Sequence, residues 1–258
     1  MDAKQEYLEK AFTGLGVRLD SWQIHAFERY MELLLSWNEK FNLTAITDPQ
    51  EIIIKHFADS CGTVGQEIVN REARLADIGS GAGFPGIPLK ILCPDLKIVL
   101  MDSLKKRISF LEEVIRELSL KGISAVHGRA EDLAREKEYR EQFDYVTARA
   151  VASLPVLSEY CLPFVKVGGQ FLAYKSAGAW DEAEQAAAGI RVLGGGRAKI
   201  REYLLPDSEY RRSIVIVEKR RETPKSFPRK AGTVAKKPLI REHKKNPPKT
   251  AEKTNQIR

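Results

Sequence analysis

The sequence contains few of the residues that build disulfide bonds, metal centres or membrane-spanning segments. Its 258 residues include three cysteines and four histidines, and neither set is clustered. Without a CxxC pair or metal-ligand spacing, the sequence predicts reduced thiols and no metal site. No apolar run approaches the roughly 18 residues of a membrane helix, and the first residues lack a secretory signal pattern. We therefore expect a cytoplasmic protein without a membrane segment.

Positive charge is concentrated at one end of the chain. Residues 219–258 contain 14 Lys or Arg and three acidic residues, a net charge of +11. The rest of the chain contains 28 basic and 32 acidic residues, a net charge of −4. Five prolines after residue 219 interrupt any helix, so we expect a tail that is mobile or partly docked. Such a charge distribution predicts an anionic partner, most often a nucleic acid.

The segments before the tail indicate an α/β architecture. Amphipathic helices are predicted over 3–15 and 20–40, and strands alternate with helices from residue 74 onward. This alternation is typical of a mostly parallel sheet with helices on both faces. The last two strands, 199–205 and 213–219, are joined by a short loop and are expected to be antiparallel. The sequence thus predicts three parts, namely an N-terminal helical cap packed on the core (1–65), a ligand-binding core (66–219) and a basic, proline-containing tail (220–258).

The most informative segment is the glycine-rich turn after the first predicted strand. Asp77 ends that strand, and Gly79, Gly81 and Gly83 follow at every second position before a helix begins near Gly86. Glycine lets the backbone adopt positive φ and lie close to a ligand. In doubly wound sheets ligands bind beyond the carboxyl ends of the strands, which is where this turn is expected to lie.

Two ligands fit this turn. The GxGxxG spacing that begins at Gly81 fits the dinucleotide fingerprint, and Asp102 lies about 20 residues on, where an acid would contact ribose. The alternating glycines after Asp77 instead fit the loop of S-adenosylmethionine (SAM) methyltransferases, with Asp77 near the amino end of the ligand. Pro85 and Pro88 remove two amide donors that a pyrophosphate would need, which favours SAM. An α/β turn without a ligand is the third possibility.

Further candidates follow the next strands. Asp102 ends the second strand and can accept hydrogen bonds from ribose hydroxyls, Ala130 and Glu131 follow the third and can contact an adenine edge, and Arg149 follows the fourth. Each has a simpler interpretation. Asp102 can cap a helix, Glu131 can begin a solvated helix, and Arg149 can pair with a surface acid. Lys175, at the end of the fifth strand, is a candidate substrate contact or an ordinary surface charge.

The sequence also lacks the motifs of several base-modifying reactions. The segment after the fourth strand reads Thr147-Ala148-Arg149-Ala150, not the Asn/Asp-Pro-Pro-Tyr/Phe of amine methyltransferases, and no Pro-Cys nucleophile is present. These absences fit an acceptor that is already nucleophilic. The N7 atom of guanine has an in-plane lone pair and no proton, so it can attack a sulfonium methyl directly and needs no general base. The protein would then contribute positioning and the exclusion of water.

Several motifs occur in an order and spacing that are specific when taken together. They are Trp37-Asn38, Asn42-Leu43-Thr44, His56-Phe57-Ala58-Asp59-Ser60, the Asp77–Leu89 turn, Asp102-Ser103-Leu104-Lys105-Lys106-Arg107, Arg149-Ala150 and Lys175. This set resembles one family, ribosomal RNA small subunit methyltransferase G, also called glucose-inhibited division protein B. The resemblance extends from about residue 5 to residue 239.

This resemblance implies a cytoplasmic, SAM-dependent enzyme that methylates N7 of one guanine in a 16S rRNA loop near the decoding centre. It implies a Rossmann-like class I methyltransferase fold with a mostly parallel seven-stranded sheet, an antiparallel last strand and N-terminal helices. The substrate would be 16S rRNA or the 30S particle, and nothing in the sequence requires more than a monomer. The predicted cofactor contacts include residues of the glycine-rich turn. They are Asp77, Gly79, Gly81, Phe84, Asp102, Ala130, Glu131 and Arg149.

Two other functions stay open at this point. The chain can be a SAM-dependent methyltransferase for a small molecule or a protein, or an RNA-binding module without catalysis. The basic tail disfavours a small neutral substrate, which needs no segment of net charge +11.

Overall fold

The computed structural model describes residues 3–240, in which seven strands form one sheet. The order across the sheet is β3-β2-β1-β4-β5-β7-β6. Strands β1 to β5 are parallel, whereas β7 is antiparallel to both of its neighbours. The strands are β1 (Arg74–Ile78), β2 (Lys97–Asp102), β3 (Ile123–His127), β4 (Phe143–Arg149), β5 (Val165–Ser176), β6 (Lys199–Leu204) and β7 (Arg211–Glu218).

This topology confirms the predicted Rossmann-like fold, with its mostly parallel sheet and antiparallel closing strand. The short connection from β6 to β7 allows only an antiparallel pair, because a parallel pair needs a crossover of a dozen residues or more. The helices are α1 (Ala3–Gly14), α2 (Ser21–Phe41), α3 (Pro49–Ile52), a π-helix (Ile53–Ala58), α4 (Gly62–Gly65), α5 (Gly86–Leu92), α6 (Lys105–Glu117), α7 (Ala130–Leu133), α8 (Leu154–Cys161), a 3-10 helix (Leu162–Phe164), α9 (Trp180–Val192) and α10 (Thr233–Lys236).

Side chains on the two faces of the sheet enter two separate cores. Leu75 of β1 packs with one cluster, whereas its neighbours Ala76 and Ile78 pack with the other, as expected when successive side chains point to opposite faces. The first cluster also contains most of the buried apolar residues of α1, α2 and the π-helix. The N-terminal helices therefore share a continuous core with one face of the sheet.

Helix α2 begins and ends at residues suited to those positions. Asp20 accepts a hydrogen bond from the Gln23 N–H at 2.8 Å, and the Gln23 side chain accepts one from the Asp20 N–H at 3.0 Å, which forms a capping box. At the other end, Asn42 adopts the left-handed conformation (φ 50°) and stops the helix. The chain turns here toward the carboxyl edge of the sheet.

The first part of the basic tail is packed against the core. Arg229 forms a two-pronged ion pair with the fully buried carboxylate of Glu159, with Nη2–Oε2 at 2.6 Å and Nε–Oε1 at 2.9 Å. Val234, in a helical turn that the sequence did not predict, is fully buried. Residues 220–240 are thus docked, and residues 241–258 lie outside the described residues.

None of the helices within residues 3–240 has the length and apolar character needed to cross a bilayer.

Candidate active site

A cleft of about 680 Å³ lies beyond the carboxyl ends of β1, β2, β3 and β4. This is the edge at which doubly wound sheets bind their ligands, and the volume is in the range of small-molecule sites. The residues that line it include Leu43, Thr44, His56, Gly79, Ser80, Gly81, Phe84, Asp102, Arg107, Ala130, Glu131, Arg149, Val151, Tyr160, Gly232 and Ala235.

The glycine turn after β1 forms one wall of the cleft. Gly79 and Gly81 both have positive φ, at 71° and 61°. A Cβ on Gly79 would lie 2.7 Å from a methyl group of Val151, whereas a Cβ on Gly81 would meet only open space and one carbonyl oxygen at 3.9 Å. The backbone at Gly81 is therefore bare toward the cleft, as a close ligand contact requires.

Asp77 lies beneath this turn and does not line the cleft. Its carboxylate is fully buried and accepts hydrogen bonds from the Gly86 N–H at 3.1 Å and from the Thr147 hydroxyl at 2.9 Å. Burial raises the pKa of Asp77 to about 6, and these hydrogen bonds oppose that rise. The structure therefore gives Asp77 a place in shaping the turn, whereas the sequence predicted it beside the amino end of the ligand.

Asp102 accepts a backbone hydrogen bond at the start of α6 and lines the cleft, and its contact with ribose hydroxyls stays a prediction. The buried carboxylate lines the cleft and accepts a hydrogen bond from the Gly81 N–H at 2.9 Å. Its other oxygen accepts from the Leu104 N–H at 2.9 Å, at the start of α6. Nη1 of Arg107 lies 3.2 Å from this carboxylate.

Ala130 and Glu131 form the first turn of α7 at the far side of the cleft. The leading amides of a helix have no acceptor within the helix, so this position can offer donors to a ligand. Glu131 is buried, not solvated, and faces Tyr160. Burial, followed by the charge of Glu131, raises the pKa of the Tyr160 hydroxyl.

Arg149 joins the end of β4 to the π-helix. Its guanidinium donates to the Asp59 carboxylate at 3.1 Å, to the Lys55 carbonyl at 3.2 Å and to Nδ1 of His56 at 3.2 Å. It also lies over the ring of Phe84, 4.8 Å from the centroid. Because Asp59 is itself buried, Arg149 is not the partner of a surface acid.

His56 was present in a sequence motif to which no function was assigned. Its ring stacks on Phe84 with the centroids 4.5 Å apart, and its Nε2 lies 2.8 Å from the Thr44 hydroxyl. Burial, and then the charge of Arg149, lower the pKa of His56 to about 3, so the ring is neutral near pH 7. Single π-helical turns are common at functional sites, but no local sequence pattern revealed this one.

Lys175 lies outside the lining of the cleft. Its ammonium donates to Glu182 at 2.8 Å and to the Ala152 carbonyl at 2.9 Å, and the side chain is mostly buried. Its function as a substrate contact stays a prediction. In contrast, Gly232 and Ala235 of the tail do line the cleft, although the sequence analysis gave the tail only an electrostatic function.

Within residues 3–240, no three His, Cys, Asp or Glu side chains come together as ligands for a metal ion.

Comparison with known proteins identifies the family. The GidB family model, described as rRNA small subunit methyltransferase G, matches residues 23–210. Three relatives, each named ribosomal RNA small subunit methyltransferase G, match nearly their whole lengths. The protein of Alkaliphilus metalliredigens is 48% identical over 87% of this chain and 94% of its own. That of Acetivibrio thermocellus is 49% identical over 93% and 100%, and that of Desulfitobacterium hafniense is 51% identical over 88% and 93%. The chain therefore belongs to the rRNA small subunit methyltransferase G family, as its motifs predicted.

Proposed function

We propose that the protein methylates N7 of a specific guanine in the 16S rRNA of the small ribosomal subunit, with SAM as the methyl donor. The observation that carries this proposal is the cleft built by the glycine turn, Asp102, Glu131 and Arg149 in a chain of this family. A guanine in the loop of the decoding region is the proposed target.

The cleft has features that fit each part of the SAM molecule. The bare backbone at Gly81 allows close approach, and the buried carboxylate of Asp102 would hold the ribose hydroxyls. Ala130 and Glu131 would contact the adenine, and Phe84 and Arg149 would bound the end that carries the sulfonium. Bound SAM supplies an electrophilic methyl group on its sulfonium.

The side chains of the cleft suit an acceptor that has no proton to lose. His56 is the most obvious candidate for a general base, but both of its ring nitrogens already have partners, Arg149 and Thr44. Guanine N7 needs no base, so holding the two reactants together without water accounts for the catalysis. The sequence predicted the same mechanism, in which the protein positions the reactants and supplies no general base.

Exposed positive side chains lie close in the chain to residues that line the cleft. Lys105 and Lys106 are exposed at the start of α6, just after Asp102. The tail segment that contributes Gly232 and Ala235 to the lining also has three exposed cations. These are Lys230, Lys236 and Lys237. Contacts between such cations and phosphates would supply sequence-independent affinity for RNA.

The decisive experiment incubates the protein and labelled SAM with 30S particles, naked 16S rRNA or a metabolite extract. The RNA comes from a strain that lacks the gene, and mass spectrometry maps the modified nucleotide. We expect one N7-methylguanine in the decoding region, absent when Gly79→Asp protein is used. Label in a small molecule or a protein but not in rRNA would contradict the proposal. The comparison of particles with naked RNA identifies the form that is the substrate.

A further inference from the structure

The hydroxyl of Thr44 lines the cleft and has two partners in the protein. Its oxygen lies 3.1 Å from the Ile46 N–H and 2.8 Å from Nε2 of His56. The Ile46 amide can only donate, so it occupies one of the two lone pairs of the oxygen. What the hydroxyl can offer to a ligand therefore depends on which ring nitrogen of His56 carries the proton.

The contact with Arg149 indicates which tautomer of His56 is present. A guanidinium has donors and no acceptor, and Nη2 of Arg149 lies 3.2 Å from Nδ1 of His56. We therefore assign Nδ1 as the acceptor, which places the proton of the neutral ring on Nε2. His56 then donates to Thr44 and occupies the second lone pair of the oxygen. With both lone pairs in use, the hydroxyl has only its hydrogen left to offer.

The backbone holds this hydroxyl in a defined place. Asn42 ends α2 in the left-handed conformation, with its N–H donating to the Asn38 carbonyl at 3.1 Å. The side-chain oxygen of Asn38 then accepts from the Thr44 N–H at 2.9 Å. Asn38, Asn42, Thr44 and His56 are all in motifs that the proposed cofactor site does not use. Their shared effect is to hold one preorganised hydroxyl at the lining of the cleft.

A donor in this place distinguishes between purines. On guanine, the acceptor N7 is next to O6, which is also an acceptor, whereas on adenine the neighbour of N7 is an amino group that donates. A hydroxyl that can only donate pairs with O6 and repels the adenine amino group.

We infer that Thr44 is a specificity-determining residue whose hydroxyl donates to O6 of the target guanine and so positions N7 for methyl transfer. His56 and Arg149 act through Thr44, as positioning residues that fix its direction. The inference rests on the proposed function.

The test combines a protein variant with a change in the base. The full-length wild-type protein, Thr44→Val and Thr44→Ser are assayed on substrate RNA that carries guanine or 2-aminopurine at the target position. 2-Aminopurine keeps N7 and the 2-amino group but lacks O6. Loss of one such hydrogen bond is expected to lower kcat/KM by about tenfold.

For the wild type and Thr44→Ser, we expect 2-aminopurine RNA to react about tenfold more slowly than guanine RNA. Thr44→Val, which has nearly the same shape, should react slowly with guanine and lose nothing further with 2-aminopurine. A purely structural defect would not remove this dependence on the base. SAM affinity, measured by calorimetry, should be the same in all three proteins.

Two results would overturn the inference. An equal ratio of guanine to 2-aminopurine rates in wild type and Thr44→Val would show that the hydroxyl does not contact O6. If Thr44→Val lost SAM affinity by the same factor as kcat/KM, the hydroxyl would contact the cofactor instead of the base. In both cases the wild type still methylates N7, so the proposed function survives. If the wild type methylates no guanine, both proposals fail together.

Discussion

The guanidinium of Arg149 lies 3.1 Å from the carboxylate of Asp59, although 90 residues separate them in the chain. Both side chains are largely shielded from solvent. Asp59 also accepts from the Tyr203 hydroxyl at 3.1 Å and lies 3.4 Å from Nε of Arg212. One buried carboxylate therefore connects the N-terminal region, the cleft and the antiparallel end of the sheet.

This connection makes Asp59 important for stability. We expect Asp59→Ala to lower the free energy of unfolding by about 3 kcal/mol, because it leaves the Arg149 guanidinium buried without its counter-charge. The pair of Lys55 and Glu51, which is more exposed to solvent, provides a matched control, and Glu51→Ala should cost less than about 0.5 kcal/mol. Urea denaturation measures both variants. Equal losses would show that burial of the Asp59 pair is unimportant.

Gly79 is predicted to be indispensable for SAM binding. Gly79→Asp places a side chain at positive φ and within 2.7 Å of Val151, which distorts the wall of the cleft. We expect calorimetry to detect no SAM binding. Gly168→Asp is the control, because Gly168 also has positive φ (87°) but has open space around it. If Gly168→Asp lost SAM affinity equally, general backbone strain would be the explanation.

Two adjacent cations of the tail are predicted to differ in their effects. Arg229→Met removes the partner of the buried Glu159, so the segment 220–240 should detach and the cleft should lose its lining at Gly232 and Ala235. We expect faster proteolysis of this segment and weaker SAM binding. Lys230→Met, at an exposed position, should leave both properties unchanged. Identical digestion of the two variants would argue against docking through Arg229.

The charge of the final residues is predicted to act on RNA alone. Residues 241–258 contain six Lys or Arg and two Glu. Removing them should reduce the slope of log Kd for rRNA against log salt concentration, because fewer phosphate contacts release counterions. SAM affinity should not change. Truncation after residue 219 should impair both kinds of binding, since it also removes part of the cleft wall. An unchanged salt slope would exclude residues 241–258 from the interface.

Asp77 is predicted to make stability fall as the pH rises. Its pKa is about 6 in the folded protein and 3.8 when unperturbed, so the folded state binds the proton more tightly. The protonated carboxyl stabilises the folded state fully below about pH 4, and this stabilisation is lost as the pH rises through about 6. The free energy of unfolding should fall by roughly 3 kcal/mol over this interval. Asp77→Asn cannot titrate, so its unfolding free energy relative to wild type should increase over this interval. A difference that stays constant from pH 4 to 7 would refute the shifted pKa.

The features that the sequence predicted well are those that depend on neighbouring residues. The glycine turn, and the placing of Asp102 and Arg149 at strand ends, follow from the alternation of strands and helices. Parallel strands bring such residues to one edge of the sheet whatever else the chain does. The family motifs then narrowed the choice of ligand.

What the sequence missed depends on tertiary packing between distant residues. Arg229 and Lys230 are adjacent cations, and only the buried Glu159, 70 residues away from Arg229, makes one structural and leaves the other exposed. The place of Asp77 at a strand end is evident from the sequence, and its contact with the ligand stays a prediction. Its carboxylate points toward Gly86 and Thr147, and the second of these lies 70 residues further along the chain.

Because Gly232 and Ala235 complete the cleft, the order of synthesis matters for ligand binding. A nascent chain still held in the ribosomal exit tunnel has its strands and glycine turn before it has this wall. The pocket can close only after the tail segment has emerged and docked on Glu159. The capacity to bind a small ligand is thus acquired later in synthesis than the strands that form most of the cleft.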